Sequence, residues 1–248
     1  MSEQRPVVLV TGVGRSVGIA AGIARQLATS GWDVATTRSE APGDSAAIEA
    51  DLRSRGARTL SLRADLGDVD APGLLYDAVE AALGPAAALV VCHTEQSDSG
   101  ILDTTVESFD RHFAVNTRGT WLLVREHARR LEAAGLTDGR GRVVALTSDH
   151  TAHNLPYGAS KGALERIVVA AAEELAHLGT ASNAINPGPV DTGWMDDAIR
   201  SSAVAQTPLG RLGTPQDTAD LVDFLLSPRG GWVTGQVLFS NGGFRTHR

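Results

Sequence analysis

Lysine, cysteine, tyrosine and methionine are all scarce in this 248-residue chain, at one, one, two and two copies, and aromatic residues make up only 4% of it. The single cysteine, Cys92, excludes an internal disulfide and fits a reducing, cytoplasmic compartment. Long hydrophobic runs are missing too. The opening MSEQRPVVLVTG carries one arginine and a short apolar stretch, and it reads as a strand rather than a signal peptide or membrane span. Basic residues number 22 against 29 acidic ones, a formal net charge of −7 without any basic run, which argues against general nucleic-acid binding. What is there, 42% hydrophobic and 21% charged, is the composition of a globular protein long enough for a substantial core.

Short β-branched runs alternate with longer helical stretches. Strands are expected over 7–11, 33–37, 59–63, 87–92, 142–147, 181–186 and 236–240. Helices are expected over 17–30, 44–56, 71–83, 105–135, 156–178 and 215–227, the last one opened by Thr214 as N-cap, Pro215 at the first helical position and Asp217 in the first turn. This alternation predicts βαβ units and an α/β Rossmann fold: a doubly wound parallel sheet of about seven strands with helices on both faces. No repeat or linker divides the chain, so residues 1–248 are expected to form a single dinucleotide-binding and catalytic domain.

The first strand runs into TGVGRSVGIA, residues 11–20. Gly12, Gly14 and Gly18 leave this turn without side chains, so its N–H groups can approach a pyrophosphate at the start of the next helix. The same glycines would serve a plain helix-entry turn. Their place, after a first strand and before a helix, is what points to a dinucleotide. At the end of the second strand a ribose 2′-hydroxyl calls for a carboxylate and a 2′-phosphate for arginine. Thr37 and Arg38 stand there, with Arg15 in the turn facing them, so NADP(H) is preferred and NAD(H) is the second choice.

Of the 22 basic residues only Lys161 is a lysine, and it follows Tyr157 by four positions in YGASKGAL. On a helix such a pair shares a face. A tyrosine with its ordinary pKa near 10 is a poor acid or base at neutral pH, and a nearby ammonium favours the phenolate. Ser148, closing strand 142–147, could donate a hydrogen bond to a substrate oxygen at the strand's carboxyl end, where open α/β sheets bind ligands. A Tyr-x-x-x-Lys pair alone would be an ordinary surface contact. Ser148 and the phosphate turn in the same chain change that reading.

Over essentially its full length the chain resembles the short-chain dehydrogenase/reductase family, in particular its 3-oxoacyl-carrier-protein reductase-like branch. The turn at 11–18 looks like the family's TGxxxGxG, which implies cofactor contacts from Gly12, Gly14, Arg15, Ser16, Val17 and Gly18. Asp65, in RADLGD, matches an adenine-contacting aspartate, with Leu66 beside it. NPGPVDTGW at 186–194 looks like PGxxxT and would set Pro187, Gly188 and Thr192 at the nicotinamide end; VTGQVLFSNGG resembles the closing strand. Asn116, in AVNTRG, matches the family's catalytic asparagine and completes a tetrad with Ser148, Tyr157 and Lys161. The resemblance implies hydride transfer between NADP(H) and a small-molecule carbonyl or alcohol. Tyr157 would act as the acid/base, Ser148 would hold the oxygen, Lys161 would tune Tyr157 and bond the ribose, and Asn116 would hold a relay water. It also implies a homodimer or tetramer assembled through helices 105–135 and 156–178.

Three departures stand out. Ser16 occupies the middle glycine slot, Val91-Cys92-His93-Thr94 replaces the usual NNAG, and Ser148 precedes Tyr157 by nine positions where about thirteen are common in the family. The first two keep open an alternative, a non-catalytic dinucleotide-binding sensor or regulatory subunit. The third predicts an opened or reshaped substrate side. His93 and Cys92 read as packing residues, whereas Asp149, His150 and His153 read as lining the substrate mouth or simply facing solvent rather than as metal ligands. The long connection 189–213 is expected to form either a substrate lid or an amphipathic helix, with Trp194 and Met195 as its apolar underside and Asp196 and Asp197 at its wet edge.

Overall fold

A computed structural model describes residues 5–39, 44–193 and 195–244. Seven strands, β1 (Val7–Val10), β2 (Asp33–Arg38), β3 (Thr59–Arg63), β4 (Ala86–Val91), β5 (Arg142–Leu146), β6 (Ala181–Asn186) and β7 (Val237–Phe239), form one sheet in the order β3-β2-β1-β4-β5-β6-β7. Every pairing is parallel. All carboxyl ends therefore lie along one edge, and the strand order reverses between β1 and β4, where a crevice opens above the sheet.

Alternation along β1 shows why both faces are covered. Val8 and Val10 pack into one core with Ile23, Leu27, Ile48, Val222 and Leu225, from α1 (Ile19–Thr29), α2 (Ser45–Ser54) and α8 (Pro215–Leu226). Val7 and Leu9 point into the other, with Leu75, Val79, Leu123, Leu164 and Val168 from α3 (Ala71–Ala82), α5 (Gly119–Ala133) and α6 (Leu155–Glu174). Each such aliphatic side chain contributes about 1.5–3 kcal/mol on burial. The start of α8 follows the sequence signal: Thr214 and Asp217 form a reciprocal capping box, with Pro215 in the first turn.

One expected element differs. The helix expected over 105–135 is interrupted: α4 (Val106–His112) is followed by a π-helical turn, Phe113–Arg118, before α5. The wider turn presents Asn116, and the Thr120 hydroxyl donates to the Asn116 carbonyl at 2.7 Å. Such bulges are frequent at functional sites. The connection 189–213 contains α7 (Asp197–Gln206), capped by Asp196, whose Oδ1 accepts from the Ile199 N–H at 2.8 Å. Trp194 lies outside the described residues.

Candidate active site

A cleft of about 1050 Å³ runs along the carboxyl edge of the sheet. Its floor comes from the first residues beyond the strands: Gly12 and Gly14 after β1, Arg38 at the end of β2, Cys92 and Thr94 after β4, Ser148 after β5, and Pro187 and Gly188 after β6. Tyr157 and Lys161 reach it from α6, while Met195, Ile199 and Ala203 on the α7 side form the opposite wall.

At the phosphate end the turn is tied to β2. The Val13 N–H donates to the Thr37 carbonyl at 2.7 Å, and the Gly12 N–H reaches the Thr37 hydroxyl at 3.4 Å. Thr37 thus braces the turn. Gly12 has φ +76°, and a Cβ there would stand 2.7 Å from the His93 backbone, so glycine is required. Gly14 faces open space. Arg15 donates to the Thr192 carbonyl at 2.8 Å, and the Arg38 Nε is buried with no hydrogen-bond partner among the described residues. Two cations at a glycine-rich turn fit the phosphates of a dinucleotide.

Ser16 does not line the cleft. Its N–H donates to the Asp44 carboxylate at 2.9 Å, and hydrogen bonds from Ser16, helped by the Arg15 charge, hold the Asp44 carboxyl below its ordinary range. Val17 is exposed outside the cleft, and Leu66 is buried in the sheet core. The Asp65 carboxylate is gripped bidentately by Arg111 at 2.9 and 3.0 Å, away from the cleft lining. Sequence position matched these residues to cofactor contacts; the Arg111 fork on α4 was not legible from that position.

At the reactive end, the Ser148 and Thr94 hydroxyls stand beside the Tyr157 phenol and draw its pKa down. Ser148 reaches it despite the short loop, because the loop folds tightly over the start of α6. The His150 N–H donates to Ser148 Oγ at 3.2 Å, and a Cβ on Gly158 would stand 1.9 Å from the His150 carbonyl oxygen. Asp149 and His150 line the cleft, whereas His153 is exposed with φ +63°. Lys161, 2% exposed, lies 5.8 Å from the Tyr157 ring centre and donates from Nζ to the Leu146 carbonyl at 2.9 Å.

Burial raises the Tyr157 phenol above its ordinary pKa, against the pull of the Ser148 and Thr94 hydroxyls, and the Asp149 charge adds to the rise. This differs from the lowering expected of a nearby ammonium. Lys161 is turned to a carbonyl, and its own burial pushes it down to about 8.

Asn116 is fully buried behind the cleft. Its amide accepts from the Glu95 N–H at 2.7 Å and donates to the Glu95 carbonyl and to Ser160 Oγ, both at 2.9 Å. His93, standing where the family resemblance has a small residue, fastens β1 to the π turn. Its Nε2 lies 3.0 Å from the Val115 carbonyl, which can only accept, so Nε2 carries the proton and Nδ1 accepts from the Thr11 hydroxyl at 2.9 Å. Burial pushes this ring down to about 3, keeping it neutral. Cys92 is half-buried at the cleft floor, and burial pushes its thiol up to about 12. In the sequence Thr94 is legible only as a departure from NNAG, its signal being a hydroxyl residue in that altered segment.

Residues 12–245 match the family described as enoyl-(acyl carrier protein) reductase. The chain belongs to the short-chain dehydrogenase/reductase family, a class of NAD(P)-dependent oxidoreductases. It is 34% identical to the uncharacterized oxidoreductase YjdA of Bacillus subtilis, with 98% of each chain covered. It is 32% identical to an NADPH-dependent aldehyde reductase-like chloroplastic protein of Arabidopsis thaliana, covering 96% of this chain and 93% of that one. Among solved structures, a 3-oxoacyl-[acyl-carrier protein] reductase from Brucella melitensis superposes with a TM-score of 0.89 at 29% identity, with both chains fully covered.

Proposed function

We propose that this enzyme is an NADP(H)-dependent carbonyl reductase, working equally as an alcohol dehydrogenase in reverse, with Tyr157 as its general acid/base. The observation that carries this reading is the convergence of Ser148, Tyr157 and Lys161 in the same cleft as the phosphate turn and its two arginines. Gly12, Gly14, Gly18, Arg15 and Arg38 would hold the phosphates, while Pro187, Gly188 and Thr192 would border the nicotinamide. That cofactor supplies the hydride.

Within this reading Ser148 donates a hydrogen bond to the substrate oxygen and fixes it beside the phenol. Tyr157 gives its proton to that oxygen as negative charge builds on it. The Lys161 ammonium stabilises the phenolate left behind, and Asn116 anchors the surrounding backbone. Arg15, and Arg38 closing β2 after Thr37, support NADP(H) over NAD(H), in keeping with the NADPH-dependence named for the Arabidopsis relative. Helix α7 serves as the lid. Assembly through the α4–α6 side as a homo-oligomer completes the proposal; exposed Trp121 on α5 supports it. Replacing Tyr157 by Phe is expected to abolish NADPH-driven carbonyl reduction while NADPH affinity, followed by fluorescence, stays within a few-fold. Retained turnover would remove Tyr157 as the acid.

A further inference from the structure

A carboxylate at the reactive end has no hydrogen-bond or ion-pair partner among the described residues. Asp149 lines the cleft, and its Oδ2 is buried without any hydrogen-bond partner among the described residues. Buried carboxylate oxygens are costly to leave unmatched, and a native site that keeps one presents it to something. The cations that share the cleft are committed elsewhere or stand at its other end. Lys161 donates to the Leu146 carbonyl, Arg15 to the Thr192 carbonyl, and Arg38 closes β2 at the phosphate end.

Asp149 directly follows Ser148, so their Cα atoms are about 3.8 Å apart. Its charge is also felt at the Tyr157 phenol. Asp149 thus lines the cleft at the same end as Ser148 and Tyr157, beside the place where a carbonyl would be held. It is carried on the short β5–α6 loop, which lies against α6 so closely that the His150 carbonyl sits where a side chain at position 158 would otherwise stand. The other cleft residues on this side include Gln96 and His150, so the end is polar enough for an oxygenated substrate.

We propose that Asp149 is a specificity-determining residue that accepts a hydrogen bond from a hydroxyl beside the reacting carbonyl, making α-hydroxy ketones and aldehydes the preferred substrate class. This rests on the carbonyl-reductase reading above. A site built around such an acceptor discriminates against the analogue lacking the hydroxyl, because that analogue buries the carboxylate unpaired.

The test compares isosteric pairs, hydroxyacetone against butanone and 2-hydroxyacetophenone against propiophenone, with NADPH and with wild-type, Asp149→Asn and Asp149→Ala enzyme. Wild type is expected to favour the hydroxylated member by more than about tenfold in kcat/KM. Asp149→Ala should cut that preference at least fivefold, and Asn, which keeps an acceptor oxygen, should fall between. Taking the ratio within each pair cancels any change in Tyr157 acidity caused by removing the charge. A preference unchanged in Asp149→Ala overturns the proposal. So does a loss of NADPH affinity in Asp149→Ala with the ratio unchanged, since the carboxylate would then serve the cofactor. Equal turnover of both members by wild type sinks Asp149 selectivity while leaving the reductase reading intact. Bound NADPH with no turnover of any of the four ketones overturns both.

Discussion

At the scale of single residues, the reactive end is a contest over one phenol. Burial raises the Tyr157 pKa and two hydroxyls pull it down. Ser148 belongs to the expected tetrad; Thr94 is an addition of this chain, in the segment where the family resemblance has NNAG. Under the proposed mechanism Thr94 is a positioning residue that helps carry the charge of the phenolate. Replacing it by Val removes a hydroxyl that can hydrogen-bond the charged form, an interaction worth about 1.5–3 kcal/mol. The alcohol-oxidation rate, which needs the phenolate, should shift its rising limb to higher pH and fall by about tenfold or more at neutral pH. An unshifted pH profile would confine Thr94 to a packing role.

At the scale of elements, the loop between β5 and α6 does most to distinguish this site. Its shortness was legible as a nine-residue spacing, but its consequence was not. Nothing in the spacing says that the His150 carbonyl would lie against Gly158, or that Asp149 would be turned into the cleft. Gly158→Ala should push this loop outward and lower kcat/KM by at least about tenfold, with circular dichroism unchanged; full activity would show that the loop yields freely. The seven strands were readable because alternating apolar runs fill two cores, and the α8 cap because Thr214, Pro215 and Asp217 are local signals. The π turn at Phe113–Arg118 was not, since a helical sequence period cannot report a single widened turn. The Asp65–Arg111 fork and the Ser16–Asp44 bond were equally hidden, because they join residues far apart in sequence.

At the scale of the whole molecule, stability and function draw on different parts of the same sheet. His93 clamps β1 to the π turn, and His127 sits fully buried on α5 with its ring centre 5.9 Å from that of Tyr76. Burial pushes both rings down to about 3. The unfolded chain binds protons at these groups below about pH 6.5, whereas the folded chain does not. Their contribution is therefore complete above pH 6.5 and is lost as pH falls towards 3, at up to about 1.4 kcal/mol per pH unit for each. Urea midpoints should drop between pH 7 and pH 5, and less steeply in His127→Leu; parallel slopes would refute the assignment. The central claim, that one crevice joins a phosphate-binding turn with two arginines to an acid/base tyrosine, is tested most directly by titrating the purified protein with NADPH and NADH and following fluorescence. Micromolar NADPH binding, tighter than NADH by at least about tenfold or 1.4 kcal/mol, is the predicted result. Equal affinity for the two would contradict the role of Arg15 and Arg38, and binding of neither would contradict the account as a whole.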